Sequence, residues 1–358
     1  MKDQERQALR RGWTTGACAA AAARSAFAAL LCGRFEDPVS IRLPRGEVPS
    51  FPLALAEVRA RSARAGVVKD AGDDPDVTHG ALVIVEAARA EPGSGVRFAA
   101  GEGVGVVTRP GLSLAVGEPA INPAPRAMIR EALCDFARER GAPAPPDLLI
   151  TISIPGGERL ALRTMNGRLG ILGGLSILGT TGVVIPYSCS SWIHSIYRGI
   201  DVARAAGEEH LAAATGETSQ KAVRLLYNLP EHALIEMGDF AGALLKYLRR
   251  HPVRRLTLAG GFAKFAKLAQ GHLDLHSARS PLDLGVLRTM LAAEGVAARE
   301  PAQSAAQILE FAGEKRARIA ERVAAQAREV ALATLAGETE VEVAIVDRAG
   351  AILARASG

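Results

Sequence analysis

The feature that most constrains this fold is a change of pattern at GAPAPPD, Gly141–Asp147. After it, Leu148–Ile154, Arg159–Leu162, Val183–Ile185, His210–Ala214, Ala233–Met237 and Arg255–Ala259 read as strands. Tyr187–Ala205, Thr218–Tyr227, Phe240–Arg249 and Phe262–Leu268 read as helices between them. Such alternation predicts an α/β fold with a Rossmann-like parallel sheet covered by helices on both faces. Helical patterns follow over about Leu282–Ala293 and Glu314–Leu335, and a hairpin is expected from Val341–Val346 and Ile352–Ala354. Before GAPAPPD, the runs Val39–Leu43, Val83–Glu86, Val96–Ala99, Val104–Thr108 and Leu112–Val116 are short and punctuated by Gly and Pro, which predicts an antiparallel or mixed sheet. Three prolines stiffen the segment as a linker. The boundary is placed there, giving a mixed α+β domain over 1–145 and an α/β domain over 146–358.

A second feature resists any fold-only reading. Lys69–Gly80, KDAGDDPDVTHG, packs Lys69, Asp70, Asp73, Asp74, Asp76, Thr78 and His79 into one loop broken by Gly72 and Pro75. Four carboxylates so close repel one another unless a metal, a cationic ligand or neighbouring Lys and Arg offset them. A solvated acidic turn is the structural alternative.

The 358 residues suffice for two cores. A formal charge of +5 suits attraction of a polyanion, but the arginines are scattered and no basic-aromatic interleaving points to nucleic acid. Cys18, Cys32, Cys134 and Cys189 show no metal or redox spacing and read as buried free thiols. MKDQERQALRRGW lacks the apolar run of a signal peptide, and Ala17–Leu31, interrupted by Arg24, reads as too short to span a bilayer. A cytoplasmic protein with no membrane or nucleic-acid partner is expected.

Thr14-Thr15-Gly16 before an alanine run reads as a capped helix start, which either offers N–H donors to an anion or is a structural cap. Gly101-Glu-Gly-Val-Gly imitates a dinucleotide fingerprint, but a strand-like run follows it and a hairpin turn is the better reading. Pro125 suits a helix start leading into Met128–Arg140, where Arg126 opposes the helix dipole unless it faces an anion. Asn166–Gly182, Ala214–Ser219 and Ala259–Lys264 are glycine-rich, and the last two follow strands and precede helices, where α/β sheets bind ligands. None is a Walker loop. Their glycines serve either a closely approaching ligand or plain turn chemistry. His272 and His276 lack the glutamate of a zinc-protease helix, and the aspartate loop lacks the spacing of an EF-hand.

Long motifs in constant order carry a resemblance. GWTTGACAAAA (Gly12–Ala22), VKDAGDDPDVTHGA (Val68–Ala81), GEGVGVVTRPGL (Gly101–Leu112) and GEPAINPAPRAMI (Gly117–Ile129) come first. Ile152–Pro186 and GGFAKFAKLAQG through Ser277 complete the set. The chain resembles, over nearly its full length, the CbiD family of cobalt-precorrin-5B C1-methyltransferases. Trp13, Ala263 and Leu275 depart from the pattern, and Ala263 stands where a glycine is usual. The resemblance implies a two-domain CbiD-like architecture and S-adenosylmethionine-dependent methylation of ring carbon C1, giving cobalt-precorrin-6A in the anaerobic-type cobalamin pathway. It implies S-adenosylmethionine as cosubstrate and no protein-bound metal, because cobalt belongs to the substrate. Homo-oligomerisation and hand-over of the unstable ring from other enzymes of the pathway are left open.

In this reading Asp70 and His79 are the candidate catalytic bases. Gly179, Thr180, Thr181, Gly216, Gly260 and Gly261 are candidates for the cosubstrate. Thr14, Thr15, Lys69, Asp73, Asp74, Asp76, Thr78, Asn122, Arg126, Arg163, Asn166, Arg168, Lys264, Lys267 and His276 are candidates for the ring with its carboxylate fringe. Two rivals are a divalent-metal-dependent hydrolase built on the cluster Asp70–Asp76 with His79, and a non-catalytic tetrapyrrole carrier.

Overall fold

The structure is a computed structural model that describes residues 9–296 and 302–358. Residues 1–8 of the charged amino-terminal stretch lie outside the described residues. Two compact units result, Met1–Ser188 and Cys189–Gly358.

The first unit is built on an alanine helix, Thr15–Cys32. Thr14 Oγ1 accepts from the Ala17 N–H at 3.2 Å to cap it, and Gly33 stops it in the left-handed region at φ 73°. Length and composition would let this helix cross a membrane, which corrects the sequence reading, yet 78% of it is buried. Alanine has no bulk beyond Cβ, so helix Pro123–Glu139 and the strands Ser62–Val68 and Leu82–Arg89 approach it closely. The five-stranded sheet runs in the order Leu55–Val58, Ser62–Val68, Leu82–Arg89, Leu148–Ser153, Val96–Ala100. All pairs are antiparallel except the last. Val83, Val85, Ala87, Leu148, Ile150 and Ile152 alternate onto the buried face, with Ile129, Leu133 and Phe136 of the second helix in the same core.

This arrangement moves the boundary. Strand Leu148–Ser153 lies inside the first sheet, between strands 82–89 and 96–100, and Asp147 is tied back by the Gly93 and Gly95 N–H groups at 2.9 and 2.7 Å. The proline segment is therefore an internal connection, and the division falls after Ser188. Composition marks stiffness, but strand pairing across distant sequence decides which core a segment joins. Three smaller expectations also change. Residues 157–161 are helical, Leu112–Val116 forms no strand, and Gly101–Gly105 is no hairpin turn. A Cβ on Gly103 would lie 1.9 Å from the Ile154 carbonyl oxygen, and one on Gly174 2.3 Å from the Gly103 backbone. Those glycines let three chain segments touch backbone to backbone.

The second unit carries the expected α/β alternation. Its sheet runs in the order Leu234–Glu236, His210–Ala214, Arg255–Gly261, Glu340–Val346, Ile352–Ala356. The first four strands are parallel, and the last is antiparallel through the closing hairpin, so the sheet is mixed. Leu211, Ala213, Leu256, Leu258, Val341, Val343 and Ile345 share one core with residues of helices Cys189–Ala205, Ala241–Arg250, Phe262–Ala269 and Arg316–Leu335. The opposite face is small: Ala212, Ala214, Ala259 and Ala344 cluster with Val223 of helix Glu217–Tyr227.

On that second face Glu342 is 2% exposed. It accepts from Tyr227, from Thr257 Oγ1 at 3.0 Å, from Arg255 Nη2 at 3.2 Å and from Arg355 Nε at 2.8 Å. The network links three strands and the covering helix. All four cysteines are free thiols, but Cys32 and Cys189 are exposed, against the expectation of burial. Burial pushes the Cys18 thiol up to about 12.

Candidate functional site

In the first unit the acidic loop is neutralised from within the chain. Lys69, 3% exposed, bonds Asp76 and Thr78 through its ammonium. Asp76 Oδ1 also accepts from the Thr78 N–H at 2.8 Å. Burial alone would raise the Asp76 pKa; the Lys69 charge and these bonds outweigh it and hold the group below its ordinary value. Asp70 is gripped by both terminal nitrogens of Arg10, with Nη2 at 2.9 Å, and accepts from the Gly72 N–H at 2.9 Å. The Arg10 hydrogen bonds, then the Gly72 N–H, lower its pKa to about 2. Asp73 accepts from the Arg10 N–H at 2.6 Å, and Asp74 from the Tyr187 N–H at 2.8 Å.

The four carboxylates thus turn to three partners, with Arg10 holding both Asp70 and Asp73, Tyr187 holding Asp74 and Lys69 holding Asp76. Among the described residues no group of three or more His, Cys, Asp or Glu side chains is arranged to hold a metal ion. Nothing in this arrangement favours the hydrolase reading. Asp70 is also a poor base, taking up a proton only far below neutral pH and already accepting three hydrogen bonds. His79 is half exposed, and its Nδ1 accepts from the Ala71 N–H at 3.1 Å. An acceptor at Nδ1 places the neutral ring's proton on Nε2, so His79 presents an N–H donor outward.

The remaining first-unit candidates divide in the same way. Thr14 caps its helix, its N–H donates to Gly182 O at 2.9 Å, and the Gly16 N–H donates to Leu178 O at 2.9 Å. The donors expected for an anion are therefore used inside the chain, and Thr15 is buried behind them. Gly179 lies against Thr14, where a Cβ would sit 2.2 Å from its Oγ1. Thr181 Oγ1 accepts from the Val183 N–H at 3.3 Å, while Thr180 is exposed. Asn166 is buried, with its amide donating to Gly174 O at 2.9 Å and accepting from Ser176 at 3.0 Å. Arg126 donates to Ile121 O at 2.7 Å, pairs with Glu118 at 3.2 Å and lies over the Phe98 ring. Asn122 makes no capping bond through its side chain, Arg168 is half-buried, and Arg163 is exposed.

In the second unit the chemistry gathers at the carboxyl ends of the parallel strands. The chain runs from strand 210–214 to 234–236 on one side, then crosses to 255–261 on the other. In open α/β sheets ligands bind at such a change of direction, beyond the carboxyl ends of the strands. Thr215-Gly216 and Gly260-Gly261 lie at the carboxyl ends of the two strands on either side of it. Gly260 is required by packing, since its Cβ would lie 2.5 Å from Thr215 Oγ1. Gly216 and Gly261 are not: Gly216 is fully extended at φ 175°, Gly261 has φ −71°, and no atom lies within 4 Å of either added Cβ. The space over these two glycines is open.

Lys264 pairs with Asp239, in the connection between strand 234–236 and helix 241–250, and donates to Leu275 O at 3.3 Å. Lys267 donates to the same oxygen at 3.0 Å. His276 Nδ1 accepts from the Ala278 N–H at 3.2 Å. The sequence reading missed Arg10 and Asp239, and named Thr215 only as part of the loop Ala214–Ser219. Arg10 and Asp239 each act through a partner distant in the chain or on a separate element, and neither stands in a pattern of its own.

The sequence model of the CbiD family matches residues 2–186, and that of the CbiD C-terminal domain matches residues 274–357. The first match ends close to the end of the first compact unit. The cobalt-precorrin-5B C(1)-methyltransferase of Brucella anthropi is 56% identical, covering 99% of this chain and 97% of that one. The enzyme of the same name from Brucella canis is also 56% identical with the same coverage. A crystal structure of the cobalamin biosynthesis protein CbiD from Archaeoglobus fulgidus is 30% identical, covers 76% of this chain and 83% of its own, and superposes with a TM-score of 0.41. With its first unit matched throughout and close relatives aligned end to end, the chain belongs to the CbiD family.

Proposed function

We propose that the chain methylates C1 of cobalt-precorrin-5B with S-adenosylmethionine, giving cobalt-precorrin-6A. The observation that carries this reading is the 56% identity across 99% of the chain with relatives named for that reaction. When bound, the sulfonium supplies an electrophilic methyl group. The protein's share of the rate is then positional, holding donor and ring carbon in line, with little covalent work.

The open space above Gly216 and Gly261 supports a cosubstrate site in the second unit, because a cradle free of Cβ atoms lets an adenosyl group approach the backbone. Among the first-unit candidates for the ring, His79 Nε2–H, Asn122 and Arg163 are the donors we assign to its carboxylate fringe. Asp70 acts through Arg10 on the shape of the loop and not as a base. Lys69, Asp76 and Thr78 form an internal brace beneath it.

Incubation of the purified chain with cobalt-precorrin-5B and S-adenosylmethionine checks the reading. Gain of one methyl group by the ring, matched mole for mole by S-adenosylhomocysteine, is the expected result. Ring binding without any S-adenosylhomocysteine would establish the carrier alternative instead.

A further inference from the structure

Lys267 is 7% exposed, and among the described residues its ammonium makes one hydrogen bond, to Leu275 O. An ammonium carries three donors, and buried donors left without acceptors cost stability. Lys264 donates to the same oxygen, so two ammoniums converge on one carbonyl with one carboxylate, Asp239, in contact. The next acid, Asp274, is engaged by Arg279 at 3.1 Å and by the His276 N–H at 3.0 Å. Burial first, and then the Lys264 charge, press the Lys267 pKa below the ordinary lysine value. Packing alone does not account for two like charges drawn together at this rim.

We propose that Lys264 and Lys267 form a carboxylate-binding subsite at the carboxyl-end rim of the second sheet. An incoming carboxylate accepts from the remaining Lys267 donors, shares Lys264 with Asp239, and relieves the repulsion between the ammoniums. The identity of the ligand rests on the function proposed above. Its carboxylate comes either from the amino-acid end of the cosubstrate or from an acetate or propionate arm of the ring.

The test uses the full chain, Lys267→Met and Lys264→Gln, each checked for native circular dichroism. Millimolar malonate, a small dicarboxylate, is expected to raise the Tm of the wild type and to lose that effect in both variants. An equal rise in all three proteins, or none in the wild type, overturns the subsite. Calorimetry then identifies the source. Loss of about 10- to 100-fold in S-adenosylhomocysteine affinity on Lys267→Met, with methylthioadenosine unaffected, assigns the α-carboxylate. The same loss for a cobalt corrinoid with free carboxylates assigns the ring. If the wild type binds neither compound while the malonate result holds, the subsite stands and the methyltransferase reading falls. If it binds both and neither variant loses affinity, the subsite falls and the methyltransferase reading stands.

Discussion

Glu342→Gln is expected to cost the second unit about 3 kcal/mol at neutral pH. The native carboxylate answers donors from Tyr227, Thr257, Arg255 and Arg355. An amide keeps the shape, removes the charge and turns an NH₂ toward those donors. Breaking one partner out of a buried charge cluster costs roughly 3–5 kcal/mol. The lower end applies because Arg255 and Arg355 are 36% and 44% exposed and water recovers part of their loss. For a unit of this size that corresponds to a fall of about 6–12 °C in Tm. Trp192 lies in the second unit, so its fluorescence in a Trp13→Phe background reports that unit alone.

The pH dependence separates charge from shape. Burial works to raise the Glu342 pKa, but the bonds from Tyr227, Arg355 and Thr257 win and hold it below its ordinary value. A depressed folded-state pKa means the stabilisation is fully present above the unfolded carboxylate value and is lost as pH falls through the folded one. The gap between wild type and Glu342→Gln should therefore narrow on acidification. A gap below about 1 kcal/mol at pH 7, or one that stays constant with pH, would refute the account of Glu342 as a buried anion.

Three further outcomes test the site. Asp70→Asn should lower activity without changing the shape of the kcat/KM pH profile, since its carboxyl titrates at about 2; loss of an acidic limb near neutrality would restore it as a base. His79→Gln carries an N–H donor near the Nε2 position and should retain far more activity than His79→Ala, with the difference mainly in KM; equal inactivity of both would show that proton transfer is required. Gly261→Ala should leave Tm unchanged yet weaken S-adenosylhomocysteine in calorimetry, whereas Gly260→Ala should destabilise through Thr215; unaltered affinity in folded Gly261→Ala would remove the cradle from the site.

Much of the architecture was legible because its signals are local. Alternating apolar runs in the second unit gave strands and helices within a few residues of their observed ends, and Thr14 announced the alanine helix it caps. The family was legible for a different reason, since long motifs survive in order from Gly12 to Ser277. The candidate site was legible as a set of residues but not as a set of roles. In Lys69–Gly80 the right groups stood out, yet Asp70, Asp76 and Lys69 prove to face Arg10, one another and Thr78.

The sequence by itself determined the α/β alternation after residue 188, the cap of the alanine helix, the acidic loop and the family. Each depends on neighbours within a turn or two of chain, or on residue order alone. Only the tertiary structure decided that strand Leu148–Ser153 belongs to the first sheet, that Arg10 holds Asp70, and that Gly103, Gly157 and Gly174 meet backbone to backbone. It also decided which glycines are spent on packing and which leave open space. The physical reason is common to all of these. Hydrogen-bond partners and steric contacts between segments far apart in the chain are fixed by how whole elements pack, and local sequence holds no record of which distant atom satisfies which donor.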